Sequence, residues 1–151
     1  MSVLLDVQHL TVSFGSTPVV RDVSFQLFPG RTLCLVGESG SGKSMTAFSI
    51  MRLLPSPGRV TSGSLLFDGE DLLTLDEKAM RSRRGRDISM IFQEPMTSLN
   101  PVLRIGKQLA EPLEIHEGLH GRAAEEKAVN LLELVGIPDA RRRLNDYPHQ
   151  F

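Results

Sequence analysis

Cysteine is nearly missing from this 151-residue chain: Cys34 is the single one. One thiol cannot form an internal disulfide, and its place in the apolar run Leu33-Cys34-Leu35-Val36 predicts a buried small hydrophobe in a reducing, cytosolic compartment. Charge of either sign is not in excess, since 17 Lys and Arg face 18 Asp and Glu, for a net −1. That balance removes the electrostatic reason to expect a nucleic-acid partner or an anionic lipid surface. No apolar run approaches the roughly 18 residues that a spanning helix needs. The first ten residues, MSVLLDVQHL, have no basic segment and carry Asp6 inside the apolar stretch, which argues against a signal peptide. Internal repeats and low-complexity tracts are absent as well.

What is present is the composition of an ordinary soluble domain, 40% hydrophobic and 23% charged. A single domain of this length hides roughly two-thirds of its unfolded surface. Residues 3–14 and 19–28 alternate partially with period two around Gly15, Ser16 and Pro18, which predicts an antiparallel strand pair. Residues 32–36 form a short continuous apolar run of the kind buried on both faces of a parallel sheet. A helix over residues 43–54 follows, with Phe48, Met51 and Leu54 at helical spacing and Pro55 and Pro57 stopping it. A strand is predicted over 64–67, a short helix capped by Asp76 over 76–84, and a second strand over 88–92. Arg81, Arg83, Arg84 and Arg86 make a basic cluster between them, read as a solvated face. Beyond Pro95, Asn100 and Pro101 the pattern turns helical. Its clearest helix spans 122–135, with Ala124, Ala128, Leu131, Leu132 and Val135 as the apolar stripe and Gly136 as the stop.

Chemistry concentrates at GESGSGKS, residues 37–44. Gly37, Gly42, Lys43 and Ser44 satisfy GxxxxGKS between an apolar run and an apolar-periodic helix, the context in which that spacing binds phosphate. Gly37, Gly40 and Gly42, with Ser39 and Ser41 between them, let the backbone curl so that successive N–H groups converge on phosphate oxygens at a helix N-terminus. Lys43 reaches the β- and γ-phosphates. Ser44 offers a hydroxyl to Mg²⁺, which takes its other ligands from water and phosphate. The pattern predicts nucleoside triphosphate binding.

The order of strand pair, GESGSGKS and MIFQEPMTSLNP resembles the ATP-binding subunit of an ABC transporter. It is most similar to the branch importing dipeptides, oligopeptides, glutathione or nickel, and the likeness covers the whole chain. The resemblance implies an α/β fold with a P-loop NTPase core, an antiparallel β subdomain and a helical subdomain, incomplete at the C-terminus. By resemblance the parts are 1–30 (antiparallel β), 31–93 (P-loop core) and 94–151 (Q-loop and helical subdomain). It further implies ATP and Mg²⁺ as cofactors, Phe14 stacking on adenine, and Gln93 as the Q-loop glutamine that orients water or completes the Mg²⁺ shell. Residues 94–101 would lie near the groove that receives a helix of the membrane permease. Permease subunits, a second ATP-binding subunit and, indirectly, a periplasmic or extracellular substrate-binding protein are the implied partners. The implied location is the cytoplasmic face of the membrane.

Phe151 falls at the first position of the family's signature motif. The signature, the strand aspartate and glutamate of the hydrolytic site and the switch histidine would follow it. Steady-state ATPase activity at background is therefore expected of these 151 residues. Exposed apolar faces at Leu33, Leu35, Ile88, Met90 and Ile91 are expected too.

A nucleotide-binding module without transport activity is an alternative for these 151 residues, and two other motif classes compete. His116-Glu117-Gly118-Leu119-His120 spells HExxH, a zinc protease pattern when helical. Gly118 and Gly121 each weaken a helix there by about 1 kcal/mol, and His9 and His149 are poorly placed as a third ligand. These histidines are read as surface residues at a helix end. An unrelated P-loop GTPase or kinase is disfavoured because no NKxD-like guanine motif occurs.

Overall fold

A computed structural model describes residues 2–94 and 98–151. The chain forms two compact units, Met1–Ile88 and Ser89–Phe151.

In the first unit, β1 (Leu5–Phe14), β2 (Thr17–Leu27), β3 (Gly58–Phe67) and β4 (Glu70–Asp71) form one sheet in the order β2-β1-β3-β4, every neighbouring pair antiparallel. The predicted strand pair is present with its turn at Gly15 and Ser16. Simple alternation fails along β1 because Leu5 and Val7 are buried and so are Leu10 and Val12. The register shifts between Val7 and Leu10 against β2 and between Gln8 and Thr11 against β3, an irregularity that returns the later residues to the core face. Leu10, Val12, Leu65, Leu72 and Met80 are fully buried there.

Helix α1 (Lys43–Ile50) is shorter than predicted. Arg52, with φ of 51°, enters the left-handed region and breaks the helix before Pro55 is reached. Helix α2 (Glu77–Arg83) begins where predicted, with the Asp76 carboxylate accepting from Ala79 N at 2.7 Å.

Several expectations fail between residues 32 and 92. Residues 32–36 take no place in the sheet: Leu33 and Leu35 are 43% and 44% exposed, Val36 is 91% exposed, and Cys34 is exposed rather than buried. The described sheet is antiparallel throughout, and residues 32–36 pair with none of its four strands. Residues 88–92 likewise form no strand. Ile88 makes an isolated bridge to Arg84 and packs on the core, whereas Ile91 is 91% exposed. The exposure expected at Leu33, Leu35 and Ile91 is observed, and Ile88 and Met90 are partly buried.

Nor is the basic cluster uniformly a solvated face. Arg83 pairs with Glu70 and, at 3.0 Å, with Asp87, and Arg84 is 18% exposed. Asp87 accepts from Arg86 at 2.9 and 3.0 Å as well. Arg86 foremost, and then Arg83, hold its carboxyl down to about 2. A depressed carboxylate contributes stability that is complete above its ordinary value and is lost as pH falls through about 2. Asp87→Asn should lower the thermal midpoint at about pH 6, with the deficit shrinking in acid until both proteins melt together near the bottom of that window. Parallel melting curves at every pH would show that the charge is not the cause.

In the second unit, α3 (Ile105–Glu117), α4 (Arg122–Leu134) and α5 (Ala140–Arg143) surround Leu113, Ala124, Ala128, Val129, Leu132, Ala140 and Leu144. Helix α4 ends as predicted, with Gly136 at φ 78° and Ile137 N donating to Leu132 O. Its stripe differs from the predicted one: Val129 is buried, while Leu131 and Val135 are 38% and 70% exposed.

Candidate functional site

The glycine-rich stretch lies in the first unit and leads directly into α1. Residues 37–41 are exposed. Gly42 is the N-cap, at φ 90° and ψ 3°, a left-handed conformation that glycine adopts without the Cβ penalty of other residues. A Cβ there would also stand 2.7 Å from Val19 O and 3.1 Å from Val20 Cγ2. The loop therefore rests on the start of β2 through a contact that only a bare Cα permits.

Lys43 turns back across the loop. Its Nζ donates to Gly37 O at 2.6 Å, Glu38 O at 2.7 Å and Ser41 Oγ at 3.2 Å. Three acceptors fix the ammonium over the loop it belongs to, with no carboxylate paired to it among the described residues. The first turn of α1 also holds no acidic side chain, so the positive end of the helix is left uncompensated by its own residues. Ser44, in that first turn, is exposed. Thr46 is buried; its backbone N–H and Oγ1 both donate to Gly42 O, at 2.8 and 3.0 Å, locking the cap. Sequence reasoning passed over Thr46, whose signal was a hydroxyl one turn after Gly42.

Phe14 ends β1 and is partly buried, packed on the first core and paired across the strands with Thr17 and Gly58. Its ring approaches Gly58 so closely that a Cβ there would stand 2.5 Å from Cζ. Because β2 starts at Thr17 and carries Val19 and Val20, the strand end that holds Phe14 is also the one that supports Gly42. The structure thus brings Phe14 and Gly42 to one end of one sheet. Gln93 belongs to the second unit and is exposed. Pro95, Met96 and Thr97, part of the segment expected near a permease, lie outside the described residues.

The HExxH stretch is not a helical face. Helix α3 ends at Gly118, which is left-handed at φ 66°, so His120 falls beyond the helix that carries His116. Glu117 is paired with Lys127. Among the described residues no group of three or more His, Cys, Asp or Glu is placed to hold a metal ion. Among them, too, no helix is long and apolar enough to cross a membrane.

Comparison with known proteins identifies the family. The ABC transporter family profile matches residues 20–151, and the chain belongs to that family. It is 51% identical over 153 residues to the oligopeptide transport ATP-binding protein OppD of Bacillus subtilis, covering 98% of this chain and 43% of that protein. It is 52% identical over 156 residues to the dipeptide transport ATP-binding protein DppD of the same organism, covering 100% of this chain and 47% of that one. The chain thus spans less than half the length of these two relatives. A solved dimeric bacterial ABC transporter cassette superposes with a TM-score of 0.80 at 22% identity, over 97% of this chain and 62% of that one. At that identity the likeness is one of fold: an α/β ATPase cassette represented in part, with its antiparallel β and helical portions.

Proposed function

We propose that residues 37–44 bind the triphosphate of ATP and that the chain is the nucleotide-binding part of an ABC importer for peptides or nickel. The observation that carries this reading is the Lys43 ammonium, held over an exposed glycine-rich loop at a helix N-terminus with no acid in its first turn. An ammonium so placed, at the positive end of a helix, suits a polyanion. Gly37, Ser39, Gly40, Ser41 and Gly42 would cradle the phosphates, and Lys43 would neutralise their outer oxygens. The donor set at Ser44, an exposed hydroxyl beside that cradle, fits a hard cation such as Mg²⁺, which would screen phosphate charge when bound. Phe14 would stack on adenine. Gln93, being neutral, would position water or the cation rather than remove a proton.

In the assembled transporter, two ATP-binding subunits, as a homodimer or heterodimer, would hydrolyse ATP and drive permease subunits from the cytoplasmic face of the membrane. A substrate-binding protein outside the membrane would supply the cargo. Peptide cargo is supported by the oligopeptide and dipeptide transport named for the relatives. Nickel rests on the sequence resemblance alone.

Titration with fluorescent ATP and GTP analogues tests the binding reading. The chain should take up the ATP analogue in competition with unlabelled ATP, while turnover stays far below the roughly 1 to 100 s⁻¹ typical of kinases. Saturable binding of the GTP analogue alone would instead place the chain with another P-loop class.

A further inference from the structure

Helix α1 carries the glycine-rich loop at its N-terminal end, and Met45 and Ile50 pack it against the first core. Its buried residues are Thr46 and Ser49, whose hydroxyls donate locally, to the N-cap Gly42 O at 3.0 Å and to Met45 O at 2.7 Å. The polar ties to other elements gather at the opposite end. There Arg84 donates from Nε to Met51 O at 2.8 Å and from Nη2 to Arg52 O at 3.2 Å, carbonyls at the helix C-terminus with no partner in the next turn. Its remaining nitrogen, Nη1, pairs with Glu77 Oε1 at 2.6 Å, so the guanidinium is bonded on three sides. Arg52 extends the same anchorage by donating to Leu72 O at 3.1 Å and Leu75 O at 2.6 Å.

A cation at this position complements the negative end of the helix while satisfying its last carbonyls. Arg84 itself is held firmly, since it closes α2 with its N–H on Met80 O and bridges Ile88 through its backbone. The helix between the two ends is eight residues, or about 12 Å at 1.5 Å per residue, and is stiff enough to carry a displacement from one end to the other.

We propose that Arg84 is a positioning residue for the phosphate loop: by clamping the C-terminal end of α1, it sets where Gly42, Lys43 and Ser44 stand at the other end. The proposal rests on the reading of residues 37–44 as a nucleotide site, and its test separates the two.

The test compares the 151-residue chain with Arg84→Ala, Arg84→Lys, Glu77→Gln and Lys43→Ala. A fluorescent ATP analogue reports affinity, and the amide resonances of Gly42, Lys43 and Ser44 are followed before nucleotide is added. Arg84→Ala should weaken binding about fivefold and move those resonances. Arg84→Lys, which keeps the charge but can serve fewer carbonyls, should fall between it and the parent. Glu77→Gln leaves both carbonyl bonds in place and should match the parent in affinity and in all three resonances. An Arg84→Ala protein that melts earlier but keeps parental affinity and resonances would reduce Arg84 to a stabilising contact and overturn the proposal. If Arg84→Ala does not fold, Arg84→Lys decides, and parental values there overturn it equally. Equal analogue binding by Lys43→Ala and the parent would sink the nucleotide reading, and the positioning role with it.

Discussion

Replacing Gly42 by alanine is expected to abolish measurable ATP retention and to cost the first unit stability. Two independent penalties meet at this residue. Its φ of 90° is a left-handed value, for which a side-chain-bearing residue is penalised by about 1–2 kcal/mol. The added Cβ would stand 2.7 Å from Val19 O, a backbone atom of a strand that cannot swing aside as a flexible side chain could. The loop must therefore lift from β2 or α1 must start elsewhere. In either case the Lys43 ammonium leaves its acceptors at Gly37 and Glu38. Equilibrium denaturation and nucleotide titration of the same preparation check both halves. A variant with parental affinity would show that the cap geometry is dispensable.

The second large effect is expected at Leu65. Its side chain is fully buried, it faces Val7 across the β1–β3 pairing, and its carbonyl accepts from Leu72 N at 2.8 Å. Truncation to alanine removes most of that side chain from a closely packed layer, and leucine-to-alanine changes in such places cost about 2–5 kcal/mol. Domain stabilities of roughly 5–15 kcal/mol leave little margin for that loss. The margin is narrower still with Leu33, Leu35, Val36 and Ile91 in contact with water, because at about 25 cal/mol per Å² that area contributes nothing to folding. Leu65→Ala should therefore lose most of its cooperative unfolding transition. Leu134→Ala, at a residue 81% exposed, should melt like the parent. Equal midpoints for the two variants would contradict the placement of the core in the sheet.

The contrast between these positions explains what was legible in the sequence. Local signals were read well. The strand pair around Gly15, the Asp76 cap, the Gly136 stop and the helix after Gly42 each depend on residues within a turn or two of one another. Less local features were not. The apolar run at 32–36 looks like a buried strand, but whether it pairs depends on other strands, and in the described sheet β1 to β4 pair only with one another. The irregularity in β1 hides the inward step from Val7 to Leu10, which simple alternation cannot anticipate. In the sequence Arg84 looks as solvated as its neighbours, because spacing gives no sign that Met51 O and Arg52 O stand within its reach. At the candidate site the loop residues were evident from their spacing. The support from Val19 and the lock from Thr46 became visible only in the fold.

Retention of ATP by the chain and by Lys43→Ala, compared at equal concentration with folding checked by circular dichroism, tests the central claim most directly. The account predicts saturable, Mg²⁺-enhanced binding by the parent and its loss in an equally folded variant. Undiminished binding without the lysine ammonium would contradict it.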